Sequence, residues 1–228
     1  YKGQQIKLIV GSGTGGGYDV YGRLFARHLG RHIPGQPNVI VQNMPGAGSL
    51  RATNFLANSA PKDGTTIAIF QRDMPLLAII GHNVNVRFDA RTLTWLGSSS
   101  SYANDAYFLF VHKNAAVQSI DDARRAGGPP LVLGGTAEGA TGNDVAMVLR
   151  SALGLNLRLI PGYPDSGGLF LAVDRREIDG RFVGLSATAS SHPTWLAPGS
   201  HMRMLLQFAR VTRHPDYPAV PTARELAP

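Results

Sequence analysis

Two glycine-rich loops constrain the fold of this chain more than any other feature of the sequence. Residues 11–17 read Gly-Ser-Gly-Thr-Gly-Gly-Gly after the apolar run 6–10, and residues 134–143 follow the apolar run 131–133. Around both loops, short β-rich runs alternate with stretches of helical periodicity, which predicts βαβ units and mostly parallel sheets. We therefore expect an α/β chain with two lobes, each containing one glycine-rich loop that joins a strand to a helix.

Local patterns place several of the expected elements. Val20, Leu24, Leu29 and Ile33 recur at helical spacing and mark an amphipathic helix after the first loop. Ser119, followed by Ile-Asp-Asp, predicts the capped start of a short helix. The serine-rich segment 98–102 is the expected crossing point between the lobes.

Charge and composition exclude several classes of function. The 228 residues contain 22 Lys and Arg against 15 Asp and Glu, which gives a net charge of +7. The basic residues are scattered and never form a block of five, so we expect no nucleic-acid partner, whereas a diffuse positive field suits a small anion. The absence of cysteine excludes disulfides, thiolate nucleophiles and cysteine zinc sites. No apolar run approaches the ~18 residues that a membrane span requires, so we expect no direct membrane insertion.

The first loop has the G-x-G-x-x-G spacing of a dinucleotide site, but its partners are missing. Such a site requires an acidic residue at the end of the next strand, where residues 42–44 read Gln-Asn-Met. A nucleotide phosphate loop requires a lysine after its last glycine, where Tyr18 stands. The backbone N–H groups of the loop and of the helix start suit a simpler anion, most simply a carboxylate. A dinucleotide-binding oxidoreductase stays open as the alternative.

The second loop repeats this design with added polar side chains. Thr136, Thr141 and Asn143 can donate hydrogen bonds, although Thr141 to Asp144 also fits a helix cap. Two such helix starts facing one cleft would hold an anion between them. Asp19, in the first turn of the first helix, has two interpretations: it complements the helix dipole, or it binds a ligand ammonium or hydroxyl group.

A further pattern consists of six short segments that span the whole chain. They are Gly-Gly-Gly-Tyr-Asp at 15–19 with Arg23, Val-Gln-Asn-Met-Pro-Gly-Ala-Gly at 41–48, Ala-Pro-Lys-Asp-Gly at 60–64, Gly-Tyr-Pro-Asp at 162–165, Arg-Glu-Ile-Asp-Gly at 176–180, and Val-Pro-Thr at 220–222 with Glu225. In this order they resemble the signatures of the solute-binding proteins of tripartite tricarboxylate transporters, the Bug-type or TctC-like family. Gln42 and Met44 depart from that family, which usually has Glu and Arg at these places.

The resemblance implies an α/β, two-lobed type II periplasmic-binding-protein fold with a hinged interlobe cleft. Lobe one would comprise residues 1–102 and lobe two residues 103–218, and a segment at 219–228 would begin, but not complete, a return to lobe one. The expected function is capture of a small organic anion for the membrane permease subunits of the transporter, by a periplasmic monomer whose signal peptide has been removed. No catalysis, cofactor or metal is implied. A ligand-sensing domain that serves a signalling partner stays open as a second alternative.

The resemblance also implies which residues contact the ligand. In the family, backbone and small polar groups of two loops hold the ligand carboxylate, partly through water, and the matching segments here are 12–19 and 134–143. Selectivity is expected to depend on further side chains such as Gln71, Tyr102, Asn104 and Asp165. The predicted ligand-binding residues are therefore Ser12, Gly13, Gly15, Gly16, Gly17, Tyr18, Asp19, Gln71, Gly135, Thr136, Thr141, Gly142, Asn143 and Asp165.

Overall fold

Strand pairing divides the structure into two sheets, one in each of two units. The computed structural model describes residues 1–80, 83–98, 105–137, 139–208 and 211–227. The first unit comprises Tyr1–Trp95, Ala137–Thr141 and Pro164–Gly167, and the second comprises Leu96–Thr136, Gly142–Tyr163 and Gly168–Pro228. The division into lobes at 102 and 218 stays a prediction, since residues 99–104 lie outside the described ranges.

The first unit is built on a parallel sheet in the strand order β2–β1–β3. Its strands are β1 (Gln5–Val10), β2 (Asn38–Asn43) and β3 (Thr66–Ile69), and its helices are α1 (Gly17–Leu29), α2 (Leu50–Asn58) and α3 (Met74–Ile80). Leu8 of β1 lies opposite Val41 on one side and Ile67 on the other. Because the strands are parallel, the loops that follow them meet at one edge of the sheet.

Helix α1 packs on the sheet with a face that the sequence did not predict. Val20 and Leu24 are 44% and 51% exposed, while Asp19 and Gly22 are buried. A Cβ at Gly22 would lie only 2.6 Å from Cγ2 of Val10, so the glycine permits close approach of the helix to β1. The apolar spacing thus predicted the helix, but Val20 and Leu24 do not form its packed face, because the close contact at Gly22 and the hydrogen bonds of Asp19 orient the helix.

The second unit contains a mixed sheet in the order β6–β5–β7–β4–β8. Its strands are β4 (Tyr107–His112), β5 (Leu131–Gly134), β6 (Leu157–Ile160), β7 (Gly180–Gly184) and β8 (Met202–Phe208). Its helices are α4 (Ile120–Arg124), α5 (Thr141–Leu153), α6 (Ser166–Asp174), α7 (Leu185–Ser191) and α8 (Ala223–Leu226), of which α5 and α6 begin in residues assigned to the first unit. β5 pairs in parallel with β6 and β7, whereas β4 runs antiparallel to β7 and β8.

The core of the second unit lies on both faces of this sheet. Leu109 and Val111 belong to one cluster of buried apolar side chains, and Phe108 and Phe110 belong to the other. This division follows from the alternation of side chains along β4. The run 106–111 is apolar throughout because the strand is buried on both sides.

Two helix starts have the side-chain caps that stabilise short helices. The hydroxyl of Ser119 accepts the N–H of Asp122 at 3.0 Å, which confirms the predicted start of α4. Thr222 and Glu225 form a reciprocal capping box at α8. The described part of the segment 219–227 lies in the second unit, and its return to the first lobe stays a prediction. Within the described ranges, no helix combines the length and apolar character that crossing a membrane requires.

Candidate functional site

Asp19 is buried in the first unit and forms hydrogen bonds that stabilise the first glycine loop. Its side chain is almost fully buried, and its Oδ2 accepts hydrogen bonds from the backbone N–H of Gly15 and from Nε of Arg23, both at 2.9 Å. Its Oδ1 accepts Nδ2 of Asn43 at 2.8 Å. Burial opposes ionisation, but the hydrogen bonds from Arg23, Gly15 and Asn43 outweigh it and hold the pKa of Asp19 below its usual value. The ionised carboxylate therefore fixes the shape of the loop.

Asn43 is a site residue that the sequence analysis did not identify. Besides its bond to Asp19, Nδ2 donates to the carbonyl oxygen of Ser12 at 2.9 Å, and Oδ1 accepts Nη2 of Arg23 at 3.1 Å. The residue stands at the end of β2, where a dinucleotide site would have its acid. Here the amide is bonded into the glycine loop. Its presence in the segment 41–48 was the only signal for it in the sequence.

Ser49 joins the three loops at the carboxyl edge of the parallel sheet. It is buried and has a left-handed backbone, with φ of 77°. Its Oγ donates to the carbonyl oxygen of Gly11 at 2.9 Å and accepts the N–H of Gln71 at 3.1 Å. The hydroxyl of Tyr18 also accepts the N–H of Arg72, at 3.4 Å. The predicted residues Tyr18 and Gln71 are thus held against the first loop.

Asn143 has the same role in the second glycine loop as Asp19 has in the first. Its Oδ1 accepts the N–H of Thr136 at 3.1 Å. A Cβ at Gly135 would collide with the Asn143 side chain, and a Cβ at Gly142 would lie 2.8 Å from the carbonyl oxygen of Phe182. Glycine is required at both places by these close approaches. The loop shape therefore depends on a buried amide that bonds to the backbone.

Thr141 is the first residue of α5 and carries a buried hydroxyl. The residue is 5% exposed, and among the described residues its Oγ1 has no hydrogen-bond partner. The interpretation of Thr141 as a helix cap was wrong, because a cap accepts an N–H from its own first turn and this hydroxyl accepts none from the residues that the structure describes. A buried hydroxyl without a partner costs about 1–3 kcal/mol. Such a group is suited to bonding a molecule that enters from outside.

Asp165 lies against the first glycine loop. A Cβ built on Gly13 would collide with Oδ2 of Asp165, and both residues belong to the first unit. Asp165 directly precedes α6, and its Oδ1 lies 3.3 Å from the position that a Cβ of Gly167 would take. The carboxylate therefore stands between the start of α6 and the first loop.

Several solved structures have a fold similar to that of this chain. No protein-family model and no curated protein matches the sequence. Among solved structures, R. palustris Rpa4515 with adipate has a TM-score of 0.70 at 20% identity, covering 98% of this chain and 71% of that one. MatC from Rhodopseudomonas palustris with bound malate has a TM-score of 0.72 at 16% identity, with coverage of 99% and 74%. The periplasmic binding protein BugD has a TM-score of 0.72 at 17% identity, with coverage of 99% and 72%.

The chain has the periplasmic-binding-protein fold. This confirms the fold class that the sequence predicted, since the mixed α/β architecture extends along nearly the whole chain. The structures that it resembles include proteins described as a periplasmic binding protein and a TctC solute binding protein.

Within this periplasmic-binding-protein fold, the first unit brings most of the predicted residues together. It contains Ser12, Gly13, Gly15, Gly16, Gly17, Tyr18, Asp19, Gln71, Thr141 and Asp165. Gly135, Thr136, Gly142 and Asn143 are assigned to the second unit, where they flank residues 137–141 along the chain. Tyr102 and Asn104, and Glu138 within the second loop, lie outside the described residues. That these residues bind a ligand stays a prediction.

Proposed function

We propose that this protein captures a small organic anion through a carboxylate group and delivers it, without catalysis, to the membrane permease subunits of a tripartite-tricarboxylate-type transporter in the periplasm. The observation that carries the proposal is the composition of the first unit, in which the first glycine loop, residues 137–141 and residues 164–167 lie together. The starts of α1 and α5, at Gly17 and Thr141, belong to this same unit.

The start of α1 supports the binding of an anion. Its N-cap is Gly16, which makes no side-chain cap bond, so no capping side chain competes for the N–H groups of the first turn. The helix dipole favours a negative charge there by ~0.3–1 kcal/mol when exposed and up to ~2 kcal/mol when partly buried. Because Asp19 and Asn43 already hold the loop, a ligand does not have to order it, which lowers the cost of binding.

The buried hydroxyl of Thr141 supports a ligand with oxygen acceptors. A carboxylate oxygen that accepts this hydroxyl would satisfy a group that has no partner among the described residues. The similar structures with adipate and with malate are consistent with a carboxylate as the ligand class. The oxidoreductase alternative lacks this support, since Asn43 and not an acid ends β2.

The similar solved structures support binding without catalysis. The solved structures that it resembles are described as binding proteins or as a periplasmic transporter. The periplasmic location, the monomeric state and the permease partner are part of the same proposal and follow from the resemblance of the six segments.

A calorimetric titration tests the proposal directly. The purified protein is titrated with a panel of mono-, di- and tricarboxylates that includes adipate and malate, and with adipamide and NAD as controls. We expect at least one carboxylate to bind and adipamide not to bind; at ~100 times its dissociation constant, the ligand should add ~2.7 kcal/mol to the free energy of unfolding. Binding of NAD with no binding of any carboxylate would overturn the proposal.

A pair of variants locates the binding. Gly16 has an extended backbone that any residue adopts, and the nearest group to a Cβ there is 3.7 Å away, so Gly16→Leu places its bulk at the N-cap of α1 without a clash at the Cβ. We expect this variant to lose binding. Ser151→Leu, which places a leucine at an exposed position of α5, is the control and should bind as the wild type does. Equal affinity of both variants would remove the first loop from the site.

A further inference from the structure

We propose that a groove on the first unit, outside the glycine loops, is a second binding site and takes small aromatic carboxylates. The groove has a volume of about 450 Å³ and is lined by Asn54, Phe55, Asn58, Ser59, Asn85 and Arg87. A volume of this size is typical of small-molecule sites. The proposal does not depend on the proposed function, because the groove shares no residue with either glycine loop.

Side-chain amides of α2 fix the two walls of the groove to each other. One wall is the second half of α2, and the other is the segment 85–87. Nδ2 of Asn54 donates to the carbonyl oxygen of Asn85, and its Oδ1 accepts the N–H of Arg87, both at 2.9 Å. Nδ2 of Asn58 donates to the carbonyl oxygen of Arg87 at 2.7 Å. A ligand therefore meets walls that are already ordered, which lowers the cost of binding.

Alternation along the segment 85–88 turns two side chains away from the core. Val86 and Phe88 pack against the buried apolar cluster that α2 and α3 form. Asn85 and Arg87 alternate with them, are exposed and line the groove. Because the bonds from α2 use only main-chain atoms at 85 and 87, these two side chains take no part in holding the walls together.

Arg87 supplies a cation to the groove. Within the described part of the chain, its guanidinium has no hydrogen bond and no ion pair, and no acidic residue lines the groove. The acid nearest to it in sequence, Asp89, is bonded to Arg91 at 2.7 Å. Two carbonyl oxygens in the last turn of α2 accept Nζ of Lys62, at 2.7 and 2.8 Å, which offsets the negative end of the helix dipole. A guanidinium in this setting suits a carboxylate, which it can bind through two parallel hydrogen bonds.

Phe55 favours an aromatic acid over a bare anion. Its side chain is half-buried on α2 and forms part of the lining. Water screens an exposed ion pair, so the charge of Arg87 alone would add little affinity. An aromatic ring that packs against Phe55 adds apolar contact to the ion pair. The hydroxyl of Ser59 and the amide of Asn85 are further hydrogen-bond donors in the lining.

Titrations with benzoate, followed by calorimetry and by amide NMR signals, test this site. Benzamide, acetate and phosphate are the comparison probes. We expect benzoate to bind at least tenfold more tightly than each of them and to shift the backbone amide signals of Ser59, Asn85 and Arg87.

Variants of the lining separate the cation from the ring. Arg87→Gln keeps the main-chain bonds to Asn54 and Asn58, so it should fold, and its affinity for benzoate should fall tenfold or more. Arg27→Gln, which removes the same charge from an exposed position of α1, is the matched control and should bind benzoate as the wild type does. Phe55→Leu should reduce the preference for benzoate over acetate.

The opposite results would overturn the inference at different points. If benzoate shifts only amide signals of the glycine loops, or if Arg87→Gln binds it as tightly as the wild type, the groove is not a binding site. Equal affinity for phosphate would exclude selection of an aromatic ring, and equal affinity for benzamide would exclude the role of the cation. None of these results affects the proposed function, which the carboxylate panel and Gly16→Leu test separately.

Discussion

The side-chain amide of Asn43 donates a hydrogen bond to the carboxylate of Asp19 at 2.8 Å, and this bond ties the end of β2 to the first glycine loop. Asn43 also bonds to Ser12, and Asp19 also bonds to Gly15, so the pair holds both halves of the loop. The loop that is proposed to receive a ligand is thus shaped by two polar side chains of one unit.

Loss of the Asp19 charge should destabilise the free protein. In Asp19→Asn the ion pair with Arg23 is lost. The NH2 group of the asparagine takes the place of one carboxylate oxygen, so an N–H donor such as that of Gly15 or Asn43 loses its acceptor. We expect a loss of about 1–3 kcal/mol in the free energy of unfolding, measured by urea denaturation at pH 7. Asp121→Asn, at an exposed position, should change it by less than about 0.5 kcal/mol. Equal stability of the two variants would show that Asp19 does not brace the loop.

The pH dependence of the free energy of unfolding should show the lowered pKa of the Glu225 carboxyl group. Its side chain accepts hydrogen bonds from Arg213 and from Thr222, and these hold the pKa of Glu225 at about 2, below that of a free glutamate. A carboxylate with a lowered pKa stabilises the folded state above its unfolded pKa, and this contribution is lost as the pH falls through ~4 towards 2. Glu225→Gln should therefore flatten the fall in unfolding free energy between pH 5 and pH 2. An unchanged slope would contradict the prediction.

Removal of the Thr141 hydroxyl should affect stability and binding in opposite directions. Thr141→Val removes a buried hydroxyl that has no partner among the described residues, so thermal stability should stay equal or rise. Affinity for the carboxylate should fall by tenfold or more in calorimetry. In the control Thr188→Val, the lost hydroxyl donates to the carbonyl oxygen of Gly184 at 3.0 Å, so stability should fall by about 1–3 kcal/mol while affinity is kept. A Thr141→Val variant with wild-type affinity would remove this hydroxyl from the site.

Two glycines of the first loop region should respond differently to alanine. A Cβ at Gly22 would lie 2.6 Å from Val10, and the crowding should cost about 1–3 kcal/mol. At Gly16 the nearest atom is 3.7 Å away and φ is −77°, so alanine meets no clash. The gain from a stiffer unfolded chain and the lower preference for alanine at an N-cap oppose each other, so the free energy of unfolding should change by less than about 1 kcal/mol. Denaturant unfolding of both variants measures the difference. Similar stability of the two would mean that α1 does not approach β1 closely at Gly22.

Much of the local structure could be predicted from the sequence. The apolar run 6–10 gives β1, the serine at 119 caps α4, and both glycine loops join a strand to a helix. These features depend on residues that are neighbours along the chain, where hydrophobic spacing and capping chemistry act directly. The predicted crossing point at 98–102 stays a prediction, since residues 99–104 lie outside the described ranges.

The candidate site was predictable only in part. Residues 12–19 were identified because glycines between a strand and a helix expose backbone N–H groups. Asn43 and Ser49 were not, because an asparagine or a serine in a loop has no periodicity, and their importance follows from hydrogen bonds to distant backbone atoms. Thr141 was identified as a hydrogen-bond donor, but only the folded chain shows that its hydroxyl has no hydrogen-bond partner among the described residues.

The sequence by itself determined the α/β class, the alternation of strands and helices and the two glycine loops, since these follow from short-range spacing. Only the tertiary structure decided that α1 turns Val20 and Leu24 outwards, that Ser49 joins three loops, and that the carboxylate of Asp165 lies over Gly13. The reason is that strand pairing brings together residues that are far apart in sequence, and close contacts among them then fix each helix rotation and each buried polar group.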